Sequence, residues 1–224
     1  MADSAYRVSP READPDKYAD DLAALIDHLE LDDVRLVAQS MGGWTALGYA
    51  LRNPERVRAL VMADTTGMFT TPEIDRLRVE NEARHPRPQY MARGVHPAAG
   101  ERMAREQPAM HFLFRQVDSL SVTLDKDIVR RRMMAMRTDI SAELARLTMP
   151  VLCITGAEDI VLPTEASDIF AARLADARVA RSKPGTRSTG SGPRPSNRAI
   201  DDFLSEVEAR GSAPGGGGPV DWWG

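Results

Sequence analysis

The chain has 224 residues, enough to bury one sizeable core plus an insertion without division into independent domains. Its 29 basic and 33 acidic residues leave a net charge of −4, and the arginines are scattered among Asp and Glu, which argues against a nucleic-acid partner. A single cysteine excludes an intrachain disulfide, and there is neither an apolar leader core nor an apolar run of about eighteen residues; neither secretion nor membrane insertion is expected, and a cytoplasmic location follows by default.

Residues 1–13 are polar and patternless. At Asp14-Pro15-Asp16 a capping residue precedes a first-turn proline. Tyr18, Leu22, Leu25, Ile26 and Leu29 then recur at helical spacing, which predicts a helix with these residues on its core face. His28 falls beside that stripe and reads as a surface histidine. After Leu31-Asp32-Asp33 comes Val34-Arg35-Leu36-Val37-Ala38-Gln39-Ser40-Met41-Gly42-Gly43-Trp44-Thr45-Ala46-Leu47: a β-branched run, a corner of small residues with a serine at its apex, then an Ala/Leu-rich helical segment. Such a strand, turn and helix lifts the Ser40 hydroxyl above the sheet and aims the Met41 backbone N–H at the same spot. Ala38 and Gly42, flanking Ser40, let strand and helix approach. Taken alone, Ala-Gln-Ser-Met-Gly reads equally as a serine helix cap. A helix from Gly42 to Arg52, the stop Asn53-Pro54-Glu55-Arg56 and a second strand from Val57 to Asp64 complete one βαβ unit.

Over about thirty residues, from Ser40-Met41-Gly42-Gly43 to Ala63-Asp64, the chain resembles the α/β-hydrolase family and its nucleophile elbow, with Ala38 in place of the first glycine of Gly-x-Ser-x-Gly. The resemblance implies an α/β fold, a doubly wound parallel sheet carrying a helical cap. It also implies several strands ahead of the elbow helix, one loop of which supplies a second oxyanion donor. Only about thirty residues stand there, so a sheet incomplete at its N-terminal side is expected. Its exposed edge would be covered by the N-terminal segment or by a second copy in a homo-oligomer, or else left open in a poorly soluble protein.

Thr71-Pro72-Glu73 is a helix start, and from there to about Leu147 the chain is rich in Met, Arg and Ala with almost no strand signal. The expected organisation is residues 1–66 as core with the elbow, 67–148 as helical cap, 149–209 as core with the acid loop and C-terminal helix, and 210–224 as a flexible tail. His85 and His96, each before a proline, and His111 read as loop or packing residues. A cap residue can nonetheless hang above Ser40, which keeps His96 and His111 as candidate bases. Arg132-Met133-Met134-Ala135-Met136 reads as adaptable core packing or as an apolar pocket wall, and a small-molecule substrate with an apolar portion suits either.

Met149-Pro150 restarts the sheet with a buried strand, Val151 to Ile154, in which Cys153 reads as a structural thiol. Thr155-Gly156-Ala157-Glu158-Asp159 follows, then a helix from about Thr164 to Leu174. The pattern Pro-Val-Leu-x-Ile-Thr-Gly-x-x-Asp resembles the family segment that presents the triad acid. Asp159 is thus the implied partner of a histidine, with Asp64, which also ends a strand, as the alternative acid. Asp159 also reads as a loop aspartate capping the next helix. A weak strand around Arg178-Val179-Ala180 leads into Pro184-Gly185-Thr186 and on to Ser196, where the family's Pro-Gly-x-Gly-His would stand, and no histidine is present. Family character returns at Asn197-Arg198-Ala199-Ile200 and continues into a C-terminal helix; the Gly215 to Gly218 tail is linker-like.

The implied chemistry is attack by Ser40 on an ester-like carbonyl, with the Met41 N–H on the oxyanion, an Asp159-oriented histidine moving the proton, and no metal or cofactor. A serine hydroxyl needs such a base, and neither Arg187 nor Ser188 can serve as one. Two readings stay open. One is a hydrolase of a small ester, lactone or amide, with His96, His111 or another residue as base, or with the histidine lost only in the recorded sequence. The other is a non-catalytic binding module on the same fold. If the window from Pro184 to Ser196 is an out-of-frame segment, translating its coding DNA in the other two frames will produce a histidine; two frames without one dismiss that account.

Overall fold

The computed structural model describes residues 15–120, 126–157, 159–182 and 195–212. Residues 1–14, most of the window from Pro184 to Ser196, and the glycine-rich tail lie outside the described residues. The N-terminal part runs α1 (Pro15–His28), β1 (Val34–Gln39), α2 (Gly42–Arg52) and β2 (Val57–Ala63), the order and nearly the bounds that the sequence predicts. Six helices follow before the sheet resumes: α3 (Pro72–Arg84), α4 (Arg87–Ala92), α5 (Gly100–Glu106), α6 (Pro108–Ser119), α7 (Lys126–Ala135) and α8 (Ser141–Leu144). Then come β3 (Val151–Gly156), α9 (Thr164–Ala171), β4 (Ala177–Ser182) and α10 (Pro195–Ser212). Among the described residues no helix is long and apolar enough to cross a membrane.

The four strands pair in the order β1-β2-β3-β4, all parallel. Parallel strands need both faces covered, and the side chains alternate accordingly. One face presents Val34, Ala38, Leu60, Met62, Val151 and Cys153 to α1, α2 and α9, whose Ile26, Leu47 and Phe170 complete the larger core. The other face presents Ala59, Val61, Leu152 and Ile154 to Phe203 and its neighbours on α10. That helix is tied down by charge as well: both guanidinium Nη atoms of Arg178 on β4 donate to the two Glu206 carboxylate oxygens, at 2.7 and 2.6 Å, a fork geometry that fixes orientation. Cys153 is buried in the first core, and burial pushes its thiol up to about 12, so it stays protonated and inert.

β1 pairs with β2 alone among the described residues, and its Val37 is 53% exposed. The same openness corrects the reading of α1. Ile26 is buried, Leu22 packs against the core, and Leu25 and Leu29 are 51% and 55% exposed. The amphipathic stripe of α1 is wider than the surface α2 offers it, so the positions at its margin meet no partner.

The helices between β2 and β3 are anchored at both ends of their run. Thr71 caps α3 by accepting the Ile74 N–H at 3.2 Å, and Pro72 follows in the first turn. At the far end Thr138 pairs with the segment after β2, its N–H donating to the Met68 carbonyl at 3.0 Å. Beside it the Arg137 guanidinium lies 5.6 Å from the centre of the Trp44 ring, and burial lowers its pKa to about 10, which still leaves it charged at neutral pH. Met133 packs with Val129 on Trp44, so the methionine run serves as packing where α7 meets the start of α2.

The tightest approach at the elbow is at Gly43. A Cβ there would sit 2.4 Å from the Thr65 side chain, whereas one at Gly42 would meet the Ala38 Cβ at an ordinary 3.9 Å. Thr65 cannot yield freely, because its hydroxyl accepts the Gly67 N–H at 3.0 Å. Gly43→Ala is therefore expected to lower stability by about 1–3 kcal/mol through overpacking, and Gly42→Ala to change it by less than about 1 kcal/mol, as read by urea denaturation of the two variants.

Candidate active site

The register of the first two strands builds the site. Gln39 pairs with Ala63, so the next residues, Ser40 and Asp64, stand side by side at the C-terminal rim of the sheet. Both adopt left-handed backbone, each with φ of +51°. That conformation costs a non-glycine residue roughly 1–2 kcal/mol, and its persistence here rests on bonds that hold both corners. The Ser40 N–H donates to the Ala63 carbonyl at 2.9 Å, the Asp64 N–H to the Ile154 carbonyl at 2.8 Å, and the Gly43 N–H to the Ser40 carbonyl at 3.0 Å. Ser40 itself is exposed, and Met41 is the N-cap residue of α2, at the helix end whose backbone N–H groups have no acceptor within the helix. A strained serine at the tip of strand and helix is the elbow geometry expected from the sequence.

Both candidate acids face the cleft above that serine. Asp64 Oδ1 accepts the Gly156 N–H at 3.2 Å, which ties the end of β2 to the end of β3. Burial pushes the Asp64 carboxyl up, against the lowering effect of the Gly156 and Gln39 bonds. Asp159 follows β3, and its Oδ1 accepts the N–H groups of Val161 at 2.7 Å and Leu162 at 3.0 Å, an Asx turn that stiffens the loop. Burial pushes this carboxyl up too; its two backbone bonds lower it, and the Asp64 charge adds to the rise. The structure thus gives Asp159 the loop-capping role and a place on the cleft at once, while Asp64 is the acid set directly beside Ser40.

The cleft encloses about 590 Å³ and is lined by Ser40, Asp64, Asp159, His85, Tyr90 and residues of α5. Neither His96 nor His111 lines it. The buried His111 accepts the His96 N–H on Nε2 at 3.1 Å, and His96 Nδ1 accepts the Ala98 N–H at 3.2 Å while its ring meets Phe114 edge-on. Those two histidines stitch the loop before α5 onto α6, so their positions in the fold are packing positions. The histidine that reaches the cleft is His85, at the C-terminal end of α3. Nothing in the sequence sets His85 apart; in the structure Asn81 on α3 donates from Nδ2 to the Ile160 carbonyl at 2.9 Å and fastens to the loop of Asp159 the helix that His85 caps.

Comparison with known proteins places the chain among relatives of this geometry. A family model described as serine aminopeptidase, S33, matches residues 11–183. RutD of Pseudomonas syringae pv. syringae strain B728a, whose name is that of a carbamate hydrolase, is 26% identical over 200 residues, 83% of this chain and 73% of that protein. The pimeloyl-[acyl-carrier protein] methyl ester esterase of Aromatoleum aromaticum is 30% identical over 169 residues, 67% of this chain and 65% of its own length. Among solved structures, a thermophilic esterase from Thermogutta terrifontis superposes with a TM-score of 0.61 at 25% identity, over 87% of this chain and 73% of that one.

The raised carboxyls give a stability prediction with a definite sign. A carboxyl whose folded pKa exceeds its unfolded value binds more protons folded than unfolded, so stability falls as pH rises from the ordinary carboxylate range, about 4, through the raised value. Asp64→Asn removes that loss and keeps an acceptor for Gly156, and Asn tolerates left-handed backbone. The variant is expected to show a higher urea midpoint than the wild type at pH 7, with the difference closing below about pH 4; equal midpoints at both pH values contradict it.

Proposed function

The chain belongs to the serine aminopeptidase, S33, family of α/β hydrolases, and from that premise we propose that it cleaves a small carboxylic ester, lactone or related acyl compound through an acyl-enzyme formed on Ser40. The observation that carries this reading is the left-handed Ser40 at the sheet rim, sharing one cleft with Asp64 and Asp159. A serine in that conformation presents its hydroxyl to the cleft and the Met41 N–H to the oxygen of a carbonyl under attack. The negative charge that develops on that oxygen then meets a fixed donor at the start of α2, and no reorganisation is needed at the moment of reaction. The carboxylates complete the arrangement by stabilising the positive charge of whichever base removes the Ser40 proton. Names of relatives that include a methyl ester esterase and a carbamate hydrolase support acyl transfer to water as the reaction class.

A second reading, a binding module without turnover, is favoured by one observation: the sequence from Pro184 to Ser196 has no histidine where the family places its base. Hydrolysis of p-nitrophenyl acetate and butyrate by the wild type and by Ser40→Ala separates the two. The hydrolase reading expects Ser40→Ala to lose at least about a thousandfold in kcat, since members of such a unit fail together. Equal rates in the two proteins would leave only the binding module.

A further inference from the structure

The sequence contains four histidines, all within the described residues. His28 is exposed at the end of α1, His96 and His111 are bonded together on α6 and the loop before α5, and His85 alone lines the cleft of Ser40. We propose that His85 is the proton shuttle of this chain and that Tyr90 positions it; the proposal rests on the reading of Ser40 as nucleophile.

The geometry supplies the parts. His85 Nδ1 lies 2.9 Å from Tyr90 Oη, with the two rings tilted at 50°. In the tautomer whose Nδ1–H donates to Oη, the lone pair sits on Nε2, the nitrogen left to work in the cleft. Asn81 holds the preceding turn of α3 on the Ile160 carbonyl, so the imidazole is carried by the helix that is fastened to the Asp159 loop. Charged groups that share the cleft are Asp64 and Asp159 on the rim and Glu101, Arg102, Arg105 and Glu106 on α5. A proton arriving on His85 therefore enters a space that already holds both raised carboxylates.

The step balances without any further reactant than water. As Ser40 Oγ bonds to the carbonyl carbon, its proton passes to His85 Nε2. The bond from that carbon to the leaving oxygen then breaks, and the leaving oxygen takes the proton from Nε2. In the second half a water molecule gives a proton to Nε2 and its oxygen bonds to the acyl carbon. The bond to Oγ breaks, Oγ recovers the proton, and the acid leaves. Transfer requires Nε2 within about 3 Å of Oγ, and the observation that supports it is the single cleft that His85 and Ser40 both line.

The test compares wild type, Ser40→Ala, His85→Gln, His85→Gly and Tyr90→Phe on p-nitrophenyl butyrate across pH, with circular dichroism confirming the fold of each. His85→Gln is expected to lose about 10²–10⁴-fold in kcat and the low-pH inflection of the rate profile. Added imidazole should return part of the rate to His85→Gly. Tyr90→Phe should lower kcat and leave KM nearly unchanged. Where an ester is turned over too slowly, the same variants are read by the rate at which a fluorophosphonate labels Ser40, which needs the same proton removal. A His85→Gln protein as fast as wild type, beside an inactive Ser40→Ala, overturns the shuttle and leaves the nucleophile standing. A wild type no faster than Ser40→Ala, and unlabelled, overturns both.

Discussion

The pairing of β1 with β2 is the constraint from which the site follows. Because Gln39 faces Ala63 in a parallel ladder, the two strands end together, and the residues that leave them must turn away at the same height. Both turn through left-handed backbone, Ser40 into α2 and Asp64 into the segment before α3. The strain is sustained because each corner is bonded to the strand beside it: Ser40 to Ala63, Asp64 to Ile154. A one-residue slip of this register would move Val34 and Ala38 out of the core and would separate the serine from the carboxylate in the same motion. Folding energy and site geometry thus depend on one alignment.

The second constraint joins the helices above the sheet to the acid loop. The chain leaves β2 by way of Asp64, and α3 is capped at Thr71 and packs against α9, with its buried Asn81 on the Ile160 carbonyl. That part-buried bond gives the Ile160 loop carbonyl its donor. It also means that α3 cannot shift without pulling on the turn that holds Asp159. At the other side of the same region Arg137 rests on Trp44, four residues after Ser40. The helical insertion is therefore tied both to the elbow helix and to the acid loop, so a ligand that seats beneath it acts on both.

Much of this was legible in the sequence because it is local. The bounds of α2 follow from Gly42 and from Asn53-Pro54, and the start of α3 follows from Thr71-Pro72, since caps and prolines act within one turn. The elbow was legible because the Ser40 corner is followed within about thirty residues by a helix, a proline stop and a second strand, which together make one βαβ unit. What the sequence could not carry was anything set by a distant neighbour. Leu25 and Leu29 have the spacing of core residues, but only the surface offered by α2 decides how wide a stripe is buried. The sequence kept His96 and His111 as candidate bases and passed over His85; the difference is that the first two bond across fifteen residues to each other's segment, and the third follows a helix fastened to residue 160. Asp64 and Asp159 were both readable as strand-end acids, and their electrostatic contact depends on the β2–β3 ladder that brings Ala63 beside Ile154.

The charges at the rim favour one class of event. Two carboxylates at the rim are each disfavoured in their ionised form by burial, and one is raised further by the other. Any step that places a positive charge between them relieves that situation, and an imidazolium formed as Ser40 loses its proton is such a charge. A substrate that brings a second negative group to the rim makes it worse. Burial that weakens the resting fold thus readies the rim for positive charge, and Arg102 and Arg105 of α5 line the same cleft.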